Sequence, residues 1–63
     1  MRKDRMRVII AAEFPQVRHF LRGVIEEEHG VTVVGQAANA TKALSLARSL
    51  RPDVAVIDCY LPY

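Results

Sequence analysis

The order of apolar residues along this chain predicts an α/β fold in which three parallel strands alternate with two helices. Short apolar runs rich in β-branched residues occupy residues 8–12, 31–35 and 54–58, as is typical of strands covered on both faces. Two stretches with apolar residues at helical spacing separate these runs. Such alternation favours a parallel sheet with right-handed crossovers and helices packed on its faces.

The first strand and the first helix are predicted from residues 8–25. Pro15 falls in the first turn of the helix, where the missing N–H of proline leaves no helical hydrogen bond unmade. One face of this helix is apolar and consists of Val17, Phe20, Leu21, Val24 and Ile25. Phe20 is expected in the core and Phe14 as a staple beside it. Gly30 is expected to end the helix.

The second half of the chain repeats this pattern. After the strand at residues 31–35, Asn39 or Thr41 is expected to cap the second helix. The apolar stripe of that helix consists of Ala40, Ala43, Leu44, Ala47 and Leu50. Pro52 ends the helix, because the residue before a proline avoids the helical conformation. The third strand, residues 54–58, ends in the carboxylate of Asp58.

Composition and charge narrow the class of protein. The 63 residues are 51% hydrophobic and 25% charged, which is typical of a soluble core-forming domain and not of a disordered chain. Residues 1–7 carry four basic and one acidic side chain, whereas residues 8–63 carry five basic and six acidic ones. We therefore divide the chain into a basic N-terminal arm, residues 1–7, and a nearly neutral domain, residues 8–63. A solvated arm is favoured over one that binds nucleic acid.

Cysteine content and hydropathy bear on the compartment. Cys59 is the single cysteine, which excludes an internal disulfide and fits a reducing interior. One cysteine and two histidines also fall short of a closed zinc site. No apolar run is long enough for a membrane span or a signal peptide. These observations predict a cytoplasmic protein without a membrane partner.

Two carboxylates follow the first and third predicted strands. Glu13 lies just past the first strand and Asp58 ends the third. The carboxyl ends of parallel strands share one edge of a sheet, where ligands bind, so these side chains converge if the two strands are neighbours. Paired carboxylates suit Mg²⁺, which usually contacts a phosphate. The alternative is that Asp58 caps a turn and Glu13 is a solvated loop residue.

These motifs resemble the first half of a response-regulator receiver domain, the phosphoacceptor module of two-component signalling. The most specific motif is an aspartate at the end of an apolar strand followed by x-x-Leu-Pro. Four stretches carry the resemblance and cover nearly all of residues 7–62: residues 7–15 with Val17-Arg18, residues 33–37, residues 43–53, and residues 54–58 with Leu61-Pro62. The Val-Val-Gly-x-Ala pattern is most similar to receivers that precede a helix-turn-helix DNA-binding domain.

The resemblance implies that the chain forms the β-α-β-α-β half of a flavodoxin-like (receiver) doubly wound parallel sheet. It implies that Asp58 takes a phosphoryl group from the phosphohistidine of a sensor histidine kinase. Glu13, Asp58 and the backbone carbonyl of Tyr60 are the implied Mg²⁺ ligands. On this interpretation the protein is a phosphorelay module of a transcriptional regulator and not an enzyme. It contacts DNA only through an output domain absent from this chain.

Two departures from the family pattern lead to further expectations. Ala12 replaces the first acid of the family's acidic pair, and Glu13 is one methylene longer than the usual aspartate. Because Mg²⁺ demands near-ideal octahedral geometry, we expect it to bind weakly. The family's hydroxyl residue and lysine, which read the phosphoryl group, lie on later strands. Thr41, Lys42 and the other hydroxyl residues of this chain are expected away from the active edge.

The resemblance also predicts that the third strand, central in the sheet order 2-1-3-4-5, is an edge in this chain. An uncovered apolar edge promotes self-association. We therefore expect a homodimer in which third strands meet across a two-fold axis or elements are swapped, unless the chain is a truncation completed by missing sequence. This leaves a second function open, a degenerate non-phosphorylated half domain that serves as a homodimerisation or interaction module.

Overall fold

The computed structural model of the chain describes residues 5–63. Its elements are β1 (Met6–Ala11), α1 (Pro15–Ile25), β2 (Val31–Ala37), α2 (Ala40–Leu50) and β3 (Val54–Ile57). The three strands form one parallel sheet in the order β2-β1-β3. This arrangement confirms the predicted β-α-β-α-β order and is compatible with half of a flavodoxin-like receiver fold.

The central strand β1 and the residue after it form the core. Val8, Ile9, Ile10, Ala11 and Ala12 are each no more than 3% exposed. β1 has a strand on each side, and both of its faces are covered by side chains of the helices. This position explains why the first apolar run is continuous and not alternating.

The sheet begins two residues before the first apolar run. Met6 is the first residue of β1, and the Arg7 guanidinium donates a hydrogen bond to the carbonyl oxygen of Leu50 at the end of α2. Arg7 is accommodated in a strand because its charged group caps a helix at the sheet's amino edge. Met6 and Arg7 therefore belong to the sheet and not to the arm predicted for residues 1–7. Residues 1–4 of that arm lie outside the described residues.

The helix boundaries follow local signals except at the end of α1. Pro15 opens α1, and the Asn39 side chain caps α2 by accepting a hydrogen bond from the N–H of Lys42 at 2.8 Å. α1 ends at Ile25, five residues before the glycine that was expected to stop it. Gly30 instead serves the turn into β2, where its φ of 82° lies in the left-handed region that favours glycine.

The two helices lie on opposite faces of the sheet. The connections β1-α1-β2 and β2-α2-β3 run in opposite directions across it, so right-handed crossovers place α1 and α2 on different sides. Each face therefore has one helix for three strands. Neither helix of the described residues is long and apolar enough to cross a membrane.

Because each face of the sheet carries one helix within residues 5–63, much of α1 is exposed. No residue of α1 is buried, and the Phe20 side chain is 67% exposed. Phe14, before the helix, is 58% exposed. The prediction that Phe20 belongs to the core is therefore wrong, and Phe14, expected as a staple beside it, is also largely exposed. Within residues 5–63 no second helix flanks α1 on its face of the sheet to cover them.

α2 packs closely on β2 because of one glycine. The pairing register of β1 with β2 shifts by one residue between Val8 and Ile9, which marks a bulge in β2. Just past the bulge, a Cβ atom on Gly35 would lie 3.0 Å from Leu50 Cδ1 and 3.2 Å from Leu46 Cδ1. The missing side chain at Gly35 thus makes room for Leu46 and Leu50 of α2.

Candidate functional site

The carboxyl ends of β1 and β3 lie side by side at one edge of the sheet. Ala11 pairs with Ile57, and the N–H of Asp58 donates to the carbonyl oxygen of Ala11 at 2.9 Å. The first and third strands are therefore neighbours, as the convergence of the two carboxylates requires. Glu13 follows the end of β1 and Asp58 follows the end of β3.

Asp58 opens a tight turn directly after β3. Its Oδ1 accepts a hydrogen bond from the N–H of Tyr60 at 3.0 Å, and its carbonyl oxygen accepts one from the N–H of Leu61 at 3.0 Å. This is the turn-capping geometry of the alternative interpretation. The second carboxylate oxygen, Oδ2, receives no hydrogen bond from residues 5–63, and the side chain is half-buried. Asp58 can therefore cap the turn through Oδ1 while Oδ2 remains without a hydrogen bond from the described residues.

The other two residues predicted to bind Mg²⁺ are both exposed. The Glu13 side chain is solvent-exposed, and no ion pair or hydrogen bond within residues 5–63 restrains its carboxylate. Tyr60 is 85% exposed, so its side chain plays no part in the packing. Within the described part of the chain, no group of three or more acidic, histidine or cysteine residues could hold a metal. The site therefore offers two carboxylates and backbone oxygens.

Ala12 and Arg18 complete the loop between β1 and α1. Ala12 is fully buried and contributes only backbone groups. Its carbonyl oxygen accepts a hydrogen bond from Arg18 Nη1 at 2.7 Å, and the carbonyl oxygen of Glu13 accepts from the same nitrogen at 3.0 Å. A guanidinium thus lies beside the strand end where the resemblance implies an acidic side chain and this chain has Ala12.

Arg18 is the site residue that the sequence analysis missed, since it was noted only as part of the resemblance. A usable signal was its spacing from Pro15, the first helical residue. Long side chains one turn into a helix point back toward its N-terminus, here toward the end of the preceding strand.

The first turn of α2 also lies at this edge, contrary to the expectation for Thr41. The Thr41 hydroxyl donates a hydrogen bond to the carbonyl oxygen of Tyr63 at 2.9 Å. The N–H of Ala40 donates a hydrogen bond to the carbonyl oxygen of Pro62 at 2.7 Å. The physical reason is topological, since α2 follows the carboxyl end of β2 and starts where the segment after Asp58 passes. These bonds attach that segment to α2.

An apolar groove of about 530 Å³ runs between α2 and β3. Leu44 on α2 and Ile57 on β3 line it and are 52% and 56% exposed. Asp58 and Cys59 also line it. Within residues 5–63, β3 is paired with β1 on one side only.

Known proteins with similar sequences share this segment. No protein-family model matches the chain. The uncharacterized transcriptional regulatory protein YxjL of Bacillus subtilis is 37% identical over 62 residues, which cover 98% of this chain and 28% of that protein. An uncharacterized response regulatory protein of Yersinia pestis is 37% identical over 57 residues, which cover 90% of this chain and 24% of that protein. This chain is a homologue of the response regulators.

A second kind of relative matches the same segment. The protein-glutamate methylesterase/protein-glutamine glutaminase 3 of Myxococcus xanthus is 39% identical over 57 residues, which cover 90% of this chain and 16% of that protein. Together with the parallel sheet, these similarities are those of a receiver-domain fragment. The chain spans less than a third of the length of these response-regulator and methylesterase relatives.

Proposed function

We propose that this chain is the phosphoacceptor module of a two-component response regulator, with Asp58 taking a phosphoryl group from a sensor histidine kinase in the cytoplasm. The position of Asp58 carries this proposal. It follows β3 directly, its N–H is bonded to the end of β1, and its Oδ2 receives no hydrogen bond from residues 5–63. The homology to response regulators supports the same role.

In the proposed reaction a carboxylate oxygen of Asp58 attacks the phosphorus atom of phosphohistidine. An oxygen–phosphorus bond forms while the bond from phosphorus to the histidine nitrogen breaks, and its electron pair stays on that nitrogen. The product is an aspartyl phosphate, and Asp58 has no proton to lose because it reacts as the carboxylate. Such transfers depend on positioning and charge neutralisation more than on covalent help from the protein.

Glu13, Asp58 and the backbone carbonyl of Tyr60 are the residues we propose to hold Mg²⁺. Their chemistry fits, since Mg²⁺ binds through one or two carboxylates, retains several waters and meets a phosphate. Ala12 adds no ligand, and Arg18 brings a positive charge, so we propose that the affinity is low. When bound, the ion supplies charge neutralisation for the transferred group.

Intact mass spectrometry tests the phosphoacceptor proposal. After incubation with Mg²⁺ and acetyl phosphate, we expect the chain to gain one phosphoryl group, and Asp58→Asn to gain none because its amide is a poor nucleophile. Glu28→Gln is the matched control, since this exposed carboxylate lies in the turn at the opposite edge of the sheet. A folded wild-type chain that gains no adduct rejects the proposal, as does an adduct that persists in Asp58→Asn.

Control of transcription is the finer part of this proposal. It requires a DNA-binding output domain outside this segment, and the name of the similar YxjL protein supports it. The methylesterase/glutaminase relatives indicate a different output for the same kind of receiver. The reading frame downstream of this segment decides between the two, because a helix-turn-helix domain is expected there under our proposal.

A second candidate function is homodimerisation without phosphorylation, and the exposed strand β3 favours it. Val54–Ile57 contains no charged residue, and the Val54 and Ile57 side chains are 40% and 56% exposed. Natural edge strands are normally protected by charges, prolines or covering elements. Under this proposal the outer sides of two β3 strands pair across a two-fold axis. Sedimentation of the wild-type chain is expected to give the mass of a dimer.

A further inference from the structure

We propose that Arg18 is a positioning residue of the phosphoacceptor site, which holds the loop after β1 and favours an anionic phosphodonor while opposing Mg²⁺. This inference rests on the proposed function of Asp58. It concerns the one cation among residues 5–63 that is bonded to the loop between β1 and α1.

The contacts of Arg18 fix its charge at the carboxyl edge. Nη1 donates to the carbonyl oxygens of Ala12 and Glu13 at 2.7 and 3.0 Å, and the side chain is half-buried. A guanidinium held by two carbonyl oxygens has little freedom to leave. The loop that carries the Glu13 carboxylate is therefore tied to α1 through Arg18.

The charge of Arg18 is not neutralised by a carboxylate within residues 5–63. Arg22, one turn further along α1, instead forms an exposed ion pair with Glu26, with Nε 3.3 Å from Oε1. Arg18 makes its side-chain hydrogen bonds to neutral carbonyl groups alone. Its full positive charge therefore acts on whatever binds at the strand ends.

The strand ends link this charge to Asp58. The carbonyl oxygen of Ala11 accepts a hydrogen bond from the N–H of Asp58. The carbonyl oxygen of the next residue, Ala12, accepts one from Arg18 Nη1. A cation bonded beside these strand ends attracts an anionic phosphodonor and repels Mg²⁺. Because Ala12 is uncharged, this edge has one carboxylate fewer to offset Arg18 than it would have with an acidic residue at position 12. Removal of the Arg18 charge should therefore strengthen Mg²⁺ binding and slow the reaction with an anionic phosphodonor.

The experiment compares Arg18→Gln with the wild-type chain at low ionic strength. We expect the dissociation constant for Mg²⁺, followed by tyrosine fluorescence, to fall about threefold, and the rate of phosphoryl adduct formation from acetyl phosphate at saturating Mg²⁺ to fall about threefold. Arg18→Lys keeps the charge and should keep both quantities within about twofold of wild type. Arg22→Gln removes the same charge from the same helix and should change neither quantity.

A purely structural role for Arg18 predicts other results. If folded Arg18→Gln binds Mg²⁺ no better than wild type, or if Arg22→Gln has the same effect, the inference is overturned. If Arg18→Gln does not fold, a change in Mg²⁺ affinity above about twofold in Arg18→Lys overturns it, and an affinity within about twofold of wild type in that variant supports it. A wild-type chain that forms no adduct rejects the proposed function, while the Mg²⁺ titration still decides the role of Arg18.

Discussion

Arg51 ends α2 in a backbone conformation that few side chains adopt. Its φ of 50° and ψ of 58° are left-handed, and its N–H donates to the carbonyl oxygen of Ala47 at 3.2 Å. A Cβ atom in this conformation costs about 1–2 kcal/mol. Pro52 follows immediately and prevents Arg51 from continuing the helix. The chain thus accepts local strain in order to turn from α2 into β3.

Glycine at this position is expected to relieve that strain. Arg51→Gly should raise the free energy of unfolding by up to about 1 kcal/mol, because glycine adopts the left-handed conformation without a penalty. Urea denaturation measures the change. Arg48→Gly, in the last turn of the same helix, should lower stability by about 1 kcal/mol. A loss of stability in Arg51→Gly would contradict the strain at this residue.

At the scale of elements, one side chain connects α1 to β2. Glu26 Oε2 accepts a hydrogen bond from the N–H of Val33 at 3.1 Å, and Oε1 accepts one from Arg22 Nε at 3.3 Å. The hydrogen bond from the Val33 backbone, followed by the contact with Arg22, lowers the pKa of Glu26 below its ordinary value of 4.5. Glu26 therefore satisfies a strand N–H just before the bulge in β2.

The lowered pKa gives this contact a pH dependence with a definite sign. The folded state holds the charged form of Glu26 more tightly than the unfolded chain does, so its contribution to stability is present above pH 4.5 and is lost as the pH falls through the lower pKa of the folded state. Glu26→Gln should destabilise the chain at neutral pH, and the difference from wild type should shrink in acid.

Urea denaturation at neutral pH and at about pH 3 measures the contribution of Glu26. Glu27→Gln is the control, because the Glu27 carboxylate has no hydrogen bond or ion pair within residues 5–63. A destabilisation by Glu26→Gln that is the same at both pH values would show that the hydrogen-bonded charge is not its cause.

At the scale of the whole molecule, two helices cover a three-stranded sheet, and the outer edge of β3 is unpaired within residues 5–63. If the proposed homodimer forms through this edge, Val54→Lys should convert it to a monomer, since a lysine ammonium at the edge would lose its water in the interface. Sedimentation equilibrium at micromolar concentration measures the mass. Val24→Lys, which places the same charge on a 48% exposed residue of α1, should leave the dimer intact. A folded wild-type monomer at that concentration would reject the homodimer.

Much of the fold follows from local patterns, and the exceptions have physical causes. The continuous apolar run of β1 predicted a strand covered on both faces. Pro15 predicted the start of the first helix, and of the two caps expected for the second helix, Asn39 or Thr41, Asn39 is the one observed. Phe20 has the spacing of a core residue but is exposed, because burial depends on a neighbour that no helical pattern specifies. Arg7 has the charge of a tail residue yet belongs to a strand, because α2 offers it a carbonyl oxygen.

Some features of the candidate site also follow from local patterns, whereas others depend on how distant parts of the chain pack. Strand ends are local features, so the pattern of residues predicts that acidic side chains follow the first and third strands. Three further features come from packing: the two strands are neighbours, Arg18 bonds back to Ala12 and Glu13, and Thr41 bonds to the segment after Asp58. These contacts depend on strand order and helix placement, which arise when distant parts of the chain pack together and not from the spacing of residues along it.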